Sequence, residues 1–324
     1  MIATTGFFDG VHAGHRHVIE RLVSTAHARG DESLVVTFWP HPRAVLQDGA
    51  RELRLLTTLE EKKALLSGLG VDRVEVLEFS RTFASLRAEE YLRDILQERF
   101  GVTALLMGYD NRLGSDKLGP AQIAPLAESL GLDVLIVPLA AAVSTASAAA
   151  GGAISSTKIR EALAEGDVET AQAMLGYAYS LRGVVVGGKQ LGRTIGFPTA
   201  NLRLYDPLKL IPARGVYLTE VEVLGSHWWG MTNVGDILET HIFDFDEDIY
   251  GLDLDIEFCA RLREERRFDS LEKLKEQLCC CEIAATDVGV GKIDGSISKP
   301  MNEFTKERNT FASILGKSSR NMPY

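Results

Sequence analysis

The sequence predicts two domains, an α/β doubly wound parallel sheet followed by an antiparallel β-barrel with a C-terminal helix. Three observations predict this arrangement. Strand-like and helix-like runs alternate through the first half of the chain, the pattern of a parallel sheet covered by helices. From Leu181 onward, strand-like runs follow one another with turns between them and no long helix. A single amphipathic helix, at residues 270–278, follows the last of these strands.

Each element of the first half has a local signal. Thr58, with Glu61 three residues later, forms a capping box that begins a helix. Gly101 and Gly131 follow helical patterns at the position where Gly ends a helix. Apolar residues from Val18 to Ala26 recur at helical spacing. The other predicted elements are strands at residues 2–5, 33–38, 74–79, 103–107 and 134–137 and helices at 58–69, 87–100 and 121–130.

The periodicity of the sequence changes near residues 177–180. Before this point, Gly166-Asp167 splits residues 161–175 into two short predicted helices. After it, the predicted strands lie at residues 181–186, 216–223, 228–233, 239–243 and 252–259. We therefore place a first domain at residues 1–178, a second at 179–282, and a polar tail without periodicity, for which we expect disorder or loose docking, at 283–324.

Composition excludes several classes of protein. The net charge of −10 and the pI near 5.3 argue against a general nucleic-acid binder. No apolar run approaches the roughly 18 residues that span a bilayer, and no basic, apolar leader is visible. Three of the four cysteines are consecutive, at residues 279–281, which is neither a disulfide framework nor a metal-binding pattern. We expect a cytoplasmic protein without nucleic-acid, membrane or obligate protein partners.

One stretch lies where the first strand turns into the first helix, and its sequence is Thr5-Gly6-Phe7-Phe8-Asp9-Gly10-Val11-His12-Ala13-Gly14-His15. Glycines suit so sharp a turn, and the free N–H groups and dipole of a helix start favour an anion. His12 and His15 are three residues apart, so both can face one side of the first helical turn. These features fit a nucleotide phosphate undergoing transfer. The alternative is a strand–helix turn with surface histidines, which the agreement of five spaced positions disfavours.

Three further stretches come directly after predicted strands or begin a helix of the same half. Ligands of parallel sheets bind beyond the carboxyl ends of strands, so we expect these stretches to lie near the opening turn. Ser155, Ser156 and Thr157 provide hydroxyls at a helix start, with Arg160 one turn later, which would suit a phosphate. The other two stretches are Thr37-Phe38-Trp39-Pro40-His41-Pro42 and Gly108-Tyr109-Asp110-Asn111-Arg112-Leu113-Gly114.

The second half carries its own phosphate-binding features. Gly187-Gly188-Lys189-Gln190-Leu191-Gly192-Arg193 is glycine-rich and basic, and it suits a loop under phosphates. It is followed by Gly196-Phe197-Pro198-Thr199-Ala200-Asn201. Thr199 and Asn201 offer neutral oxygens on one face of an extended segment, and such oxygens suit Mg²⁺ bound to ATP phosphates. A turn with a polar edge is the alternative.

These motifs resemble those of a known family. Phe8-Asp9-Gly10-Val11-His12-Ala13-Gly14-His15 resembles the HxGH nucleotidyltransferase signature, in the form found in bacterial bifunctional riboflavin kinase/FAD synthetases. Residues 154–160 resemble the ISSTxxR motif of that family, and residues 196–201 its GFPTAN motif. The resemblance runs from about residue 1 to about residue 278.

The resemblance implies a role for each candidate residue. It implies riboflavin, FMN and ATP as substrates with Mg²⁺, and Glu239 as the base that takes the proton of the attacking hydroxyl. The implied catalytic residues are His12, His15, Arg160 and Glu239, and the metal ligands are Thr199 and Asn201. The implied ATP- and phosphate-binding residues are Gly6, Phe8, Asp9, Gly10, Gly14, Ser155, Ser156, Thr157, Gly188, Lys189 and Arg193. The implied flavin-binding residues are Pro40, His41, Asp110, Asn111, Arg112 and Phe197.

The chain departs from the family's pattern at one connection in the second half. The family usually has roughly a dozen residues between its Asn-Ile-Gly and Glu-Thr-His sequences, whereas here only three residues separate Gly235 from Glu239. We expect a hairpin at this connection. The resemblance therefore implies an enzyme that converts riboflavin to FMN and FMN to FAD. The alternatives are an FMN adenylyltransferase with a weak or inactive kinase domain, and a sensor without catalysis.

Overall fold

A computed structural model describes residues 1–46, 53–138, 154–188, 192 and 196–266. The chain forms two compact units. The first consists of Met1–Arg160, Ala173–Gly176 and Leu208–Leu210, and the second of Glu161–Gln172, Tyr177–Pro207 and Ile211–Tyr324. None of the helices in the described ranges combines the length and the hydrophobicity that a membrane-spanning segment needs.

A five-stranded parallel sheet forms the centre of the first unit. Its strand order is β3-β2-β1-β4-β5, so the chain winds outward from β1 in both directions. The strands are β1 (Ile2–Thr5), β2 (Ser33–Trp39), β3 (Arg73–Glu78), β4 (Ala104–Gly108) and β5 (Asp133–Val137). This confirms the predicted doubly wound sheet and each of its five strands.

Alternate residues of the central strands bury two separate cores, one on each face of the sheet. Ala3 and Leu105 lie in one core, and their chain neighbours Ile2 and Ala104 lie in the other. The helices that cover these faces, and the two that follow, are α1 (Ala13–Arg29), α2 (Pro42–Leu46), α3 (Leu59–Gly68), α4 (Arg81–Ala84), α5 (Ala88–Glu90), α6 (Pro120–Ser129), α7 (Ser156–Glu165) and α8 (Val168–Leu175). Because successive side chains alternate across a strand, two apolar faces require helices on both sides.

The helix starts and ends follow the predicted local signals. The Thr58 hydroxyl accepts a hydrogen bond from the Glu61 N–H, and the Glu61 carboxylate accepts one from the Thr58 N–H. The predicted capping box at the start of α3 is therefore present. Gly101 has φ of 68°, a left-handed conformation that a residue with a Cβ rarely adopts. One predicted helix, at residues 87–100, differs in kind, because α5 continues as a π-helix over Tyr91–Arg99. Apolar spacing does not distinguish these two types of helix.

A closed antiparallel barrel with the strand order β10-β7-β6-β11-β8-β9 forms the second unit. Its strands are β6 (Tyr179–Val186), β7 (Ala200–Leu204), β8 (Gly215–Val223), β9 (Ser226–Val234), β10 (Leu238–Ile242) and β11 (Asp253–Arg263). The barrel and five of its strands are as predicted. β7 was not predicted from the sequence, because these five residues follow Pro198 and lack a long apolar run.

A chain of buried hydroxyls crosses three neighbouring strands of the barrel. Thr232 lies 3.0 Å, oxygen to oxygen, from both Thr219 and Thr240. The expected hairpin between β9 and β10 is present, with the Gly235 N–H donating to the Ile237 carbonyl at 3.3 Å. The predicted helix at 270–278, the cysteines at 279–281 and the tail at 283–324 lie outside the described residues. The boundary near residue 178 stays a prediction.

Candidate active sites

The first candidate site is a cleft of about 490 Å³ in the first unit. It lies where β1, β4 and β5 end, which is the edge of the sheet where a ligand site was predicted from the sequence. Most candidate residues of the first half line it: Gly6, Phe8, Asp9, His12, Gly14, His15, His41, Asp110, Asn111, Arg112, Ser155, Ser156, Thr157 and Arg160. Gly10 and Pro40 are not among the lining residues. The four predicted stretches of this half therefore meet around one opening.

A strained turn leads from β1 into α1. Phe8, Gly10 and Val11 have φ values of 53°, 78° and 36°, all in the left-handed region. A Cβ on Gly10 would also lie 2.8 Å from Leu56 Cδ1, so both conformation and space require Gly there. Two non-glycine residues in this region cost free energy that the surrounding contacts must offset. Such strain is typical of a functional site.

The two histidines of the turn form a stacked pair at the start of α1. The His15 N–H donates to His12 Nδ1 at 3.3 Å, so His12 caps the helix and carries its ring hydrogen on Nε2. Burial lowers the pKa of His12 to about 4. Burial, followed by the charges of His12 and Lys62, lowers the pKa of His15 well below its ordinary value. Both rings are therefore neutral near pH 7, and each can donate one N–H to a phosphate oxygen.

Asp9 is 4% exposed, and its carboxylate is engaged inside the protein. It accepts hydrogen bonds from the N–H groups of Leu56 and Thr57, at 3.1 and 3.2 Å, and pairs with Arg160. A carboxylate held in this way fixes the turn to the segment before α3. Direct contact between Asp9 and phosphate stays a prediction.

The start of α7 brings hydroxyls and a guanidinium to the same turn. Ser156 Oγ donates to the Asp9 carbonyl at 3.0 Å, and Ser155 Oγ accepts from the Lys158 N–H at 3.3 Å. Arg160 donates through Nε to the Arg54 carbonyl at 2.9 Å, in addition to its ion pair with Asp9. The guanidinium therefore lies at the cleft with a fixed orientation, which suits an anionic ligand.

Four of the flavin-binding candidates, His41, Asp110, Asn111 and Arg112, lie on two loops of this cleft. His41 packs edge-on against Phe7 with ring centroids 4.1 Å apart. Burial, with the charges of Arg160, Arg43 and Lys62, lowers the His41 pKa to about 4. On the loop after β4, Asn111 Nδ2 donates to the Thr5 carbonyl at 3.0 Å. These contacts fix the walls of a space in which a flat ring could bind.

The second candidate site lies on the barrel, where Asn201 of β7 pairs with Glu239 of β10. Directly opposite residues of antiparallel strands project from the same face, so the amide and the half-buried carboxylate share one face. A Cβ placed on Gly188 would lie 2.2 Å from Asn201 Nδ2, so Gly188 itself lies directly against this amide. A Cβ on Gly192 would lie 3.2 Å from Thr199 Oγ1.

A cleft of about 190 Å³ lies beside this pair of strands. Thr199, Thr240 and Phe245 contribute to its lining, together with residues 246–250. Phe197 is buried next to it, against the ring of His241 at 5.1 Å. Glu239 and Asn201 do not line this cleft. Lys189 and Arg193 lie outside the described residues.

The donors present at this site fit Mg²⁺ bound to a nucleotide. The described ranges contain no cluster of three or more His, Cys, Asp or Glu side chains that could hold a metal by itself. The oxygens of Thr199 and Asn201 are neutral and hard, and the bare backbone of Gly188 leaves the Asn201 amide room. Mg²⁺ is often bound by a few protein oxygens together with phosphates and water, so this donor set is compatible with Mg²⁺ when ATP supplies the negative charge.

Two buried lysines near the first cleft were not singled out from the sequence. Lys62 is fully buried on α3, and Lys209 is buried against the Leu56 carbonyl and the Glu61 carboxylate. Lys62 shares a helix face with Leu59 and Leu66, three residues before it and four after it, and this apolar face was the available signal. For Lys209, the local sequence contains no comparable signal.

Two family models match the chain, FAD synthetase over residues 1–157 and riboflavin kinase over residues 175–285. The bifunctional riboflavin kinase/FMN adenylyltransferase of Listeria monocytogenes is 36% identical, over 86% of this chain and 88% of its own length. The Escherichia coli protein of the same name is 35% identical, over 88% of this chain and 92% of its own length. A crystal structure from Streptococcus pneumoniae, described as a macrolide-efflux protein, is 32% identical and superposes with a TM-score of 0.80, covering 88% of this chain and 93% of that one. This chain therefore belongs to the bifunctional riboflavin kinase/FMN adenylyltransferase family.

Proposed function

We propose that this chain catalyses two successive reactions on small molecules. The first transfers the γ-phosphoryl group of ATP to the 5′-hydroxyl of riboflavin, giving FMN and ADP. The second joins FMN to the adenylyl group of another ATP, giving FAD and pyrophosphate. The observation that carries this proposal is that each unit has its own family match and its own set of phosphate-binding residues.

In the adenylyl transfer, an oxygen of the FMN phosphate attacks the α-phosphorus of ATP, and the bond to the pyrophosphate oxygen breaks. No covalent enzyme intermediate is required, so the rate enhancement comes from orientation of the substrates and stabilisation of charge. The neutral rings of His12 and His15 donate to phosphate oxygens from the start of α1. Arg160 and the hydroxyls at the start of α7 bind the other phosphate oxygens, while His41 and Asn111 bind the flavin.

In the kinase reaction, Glu239 accepts the proton of the riboflavin 5′-hydroxyl as it attacks the γ-phosphorus. Thr199 and Asn201 would hold Mg²⁺, which, when bound, neutralises the charge of the ATP phosphates. The backbone at Gly188 would approach the phosphates closely, because glycine carries no side chain. Lys189 and Arg193 supply positive charge to the same loop.

We also propose a cytoplasmic location and no requirement for nucleic acid, membrane or another protein. The acidic net charge and the cysteine pattern of the sequence support this.

An assay of the purified chain with riboflavin, ATP and Mg²⁺ tests the proposed function. Chromatography that resolves riboflavin, FMN and FAD should show FMN first and FAD later. The short β9–β10 hairpin favours one alternative, an adenylyltransferase with a weak kinase. FAD made from supplied FMN, with no FMN made from riboflavin, would establish that alternative. If neither FMN nor FAD is formed, both the proposed function and this alternative are wrong.

A further inference from the structure

Lys62 connects the ends of two adjacent strands beneath the first cleft. It is 1% exposed on α3, whereas the side chain of its neighbour Lys63 is 43% exposed. Lys62 Nζ donates to the Phe7 carbonyl at 3.0 Å and to the Phe38 carbonyl at 3.4 Å. It also lies 3.9 Å from the centroid of the Phe7 ring. Phe7 leads into the turn between β1 and α1 that carries His12 and His15, here called the histidine turn, and Phe38 is near the end of β2. One ammonium group therefore contacts the chain at the ends of both strands.

This ammonium has neutral partners. Among the residues that the structure describes, no carboxylate forms an ion pair with Lys62, although Asp9 acts on it through space. Burial lowers the Lys62 pKa to about 8, and the charge of Asp9 opposes that change. His15 and His41 are the other titratable groups coupled to it, and its charge helps to lower the pKa of both.

A buried cation with neutral partners is costly, so a role for it is expected. In a medium of low polarity, a charge acts over a longer range than it does in water. The charge of Lys62 therefore adds a positive potential at the turn where His12 and His15 meet the phosphates. Its two carbonyl contacts also keep that turn in place.

We propose that Lys62 is a positioning residue for adenylyl transfer, which fixes the histidine turn through the Phe7 and Phe38 carbonyls and favours the anionic phosphates by its charge. This inference rests on the proposed FMN adenylyltransferase function. Because kcat/KM reports the ionisations of the free enzyme, kcat/KM for FAD formation should fall as the pH rises through about 8 and Lys62 loses its proton.

The test compares Lys62→Met, Lys62→Arg and the matched control Lys63→Met in the full chain, with FMN, ATP and Mg²⁺ from pH 6.5 to 9.5. Lys62→Met should lower kcat/KM at pH 7 by about 10- to 100-fold and should remove its decline above pH 8. Lys62→Arg should keep more activity than Lys62→Met and should move the decline to higher pH. Lys63→Met should behave as wild type. FMN formation from riboflavin and the melting temperature report whether a variant is folded.

Several outcomes would overturn the inference. A wild-type profile that is flat from pH 7 to 9.5 would do so without any variant. A Lys62→Met enzyme with wild-type kcat/KM would also do so, as would one whose lowered profile keeps the wild-type decline above pH 8. A wild-type chain that makes no FAD from FMN at any pH would instead contradict the proposed function.

Discussion

The imidazole rings of His12 and His15 lie face to face, with centroids 3.6 Å apart and planes 17° apart. Two protonated rings at this distance would repel each other strongly. Their lowered pKa values remove this repulsion, because both rings are neutral near pH 7. The pair therefore presents two neutral imidazole rings to the first cleft, each with one N–H that can donate a hydrogen bond.

Replacement of either histidine should disable adenylyl transfer. We expect His12→Ala or His15→Ala to lower FAD formation from FMN by about 10²-fold or more, since each removes a preorganised donor from the transition state. FMN formation from riboflavin should continue, because the kinase candidates lie in the other unit. His27→Ala, at an exposed position of the same helix, is the control. Near-normal FAD synthesis in either mutant would exclude the histidine turn from the reaction.

The folded protein should lose stability as the pH falls below 6.5. His12 has a pKa of about 4 when folded, against its ordinary value of 6.5, so the unfolded chain binds a proton more readily between these values. The contribution of the neutral ring is complete above pH 6.5 and should decrease by ~3 kcal/mol by pH 4. Urea unfolding at several pH values should show a shallower dependence for His12→Asn. Parallel curves for the two proteins would contradict this assignment.

Two adjacent glycines should differ sharply in their tolerance of a methyl group. A Cβ on Gly188 would lie 2.2 Å from Asn201 Nδ2, whereas a Cβ on Gly187 has no neighbour within 4 Å. We expect Gly188→Ala to displace the Asn201 amide and to raise the Mg²⁺·ATP concentration that the kinase needs, by about tenfold. Gly187→Ala should behave as wild type. Equal kinetics for the two variants would show that the position of Gly188 does not affect the proposed metal site.

The role of Glu239 as a base predicts a loss of rate with little loss of binding. Glu239→Gln keeps the size of the side chain but removes its basicity, so kcat for FMN formation should fall by roughly 10²–10⁴-fold with a modest change in the KM for ATP. The matched control is Glu222→Gln, at an exposed position on β8. If Glu239→Gln retains full activity, the kinase must use another base.

A fragment that ends at Ser180 should be impaired in adenylyl transfer, because it lacks part of the first unit. Leu55 exchanges backbone hydrogen bonds with Leu208 and Leu210, at 2.7 and 2.8 Å. Lys209, 4% exposed, binds the Leu56 carbonyl at 2.9 Å and the Glu61 carboxylate. We expect a melting temperature several degrees lower and slower FAD formation than in the full chain.

The full-chain variant Lys209→Met should reproduce part of both effects, with Lys117→Met, at an exposed position, as its control. If the fragment matches the intact protein in stability and rate, the strand contact at Leu55 contributes nothing to this site.

Local patterns were sufficient to predict most of the fold. The capping box of Thr58 and the glycines after the helices specify where helices begin and end. Alternation of strands and helices was sufficient for the parallel sheet. β7 was missed because its pairing with β6 and β10 depends on barrel closure, to which a five-residue segment gives no local clue.

The sequence was sufficient to predict which segments of the chain form each candidate site, but not which side chains contact each other there. The strand ends indicated that His41 and Asn111 would approach the histidine turn, and the helix start at residues 155–157 indicated the same for Arg160. The engagement of the Asp9 carboxylate depends on N–H groups of Leu56 and Thr57, far away in sequence, so no local pattern reveals it. Lys62 follows two glutamates and precedes another lysine, and this charged run, which usually indicates a solvated face, conceals the apolar face that Lys62 shares with Leu59 and Leu66.

The position of Leu208–Leu210 in the first unit also affects the order in which the chain matures during synthesis. The ribosome produces the turn that carries His12 and His15 first, but Leu55 receives its backbone partners only after β7 has been made. At about 5–20 residues per second, the stretch between Gly176 and Leu208 takes roughly 2–6 s to synthesise. During this interval the histidines and the strands of the sheet have been synthesised, while the segment that holds Asp9 lacks its backbone contacts with Leu208 and Leu210. Translation speed through β7 therefore sets how long an unfinished adenylyl-transfer unit is exposed to chaperones and proteases.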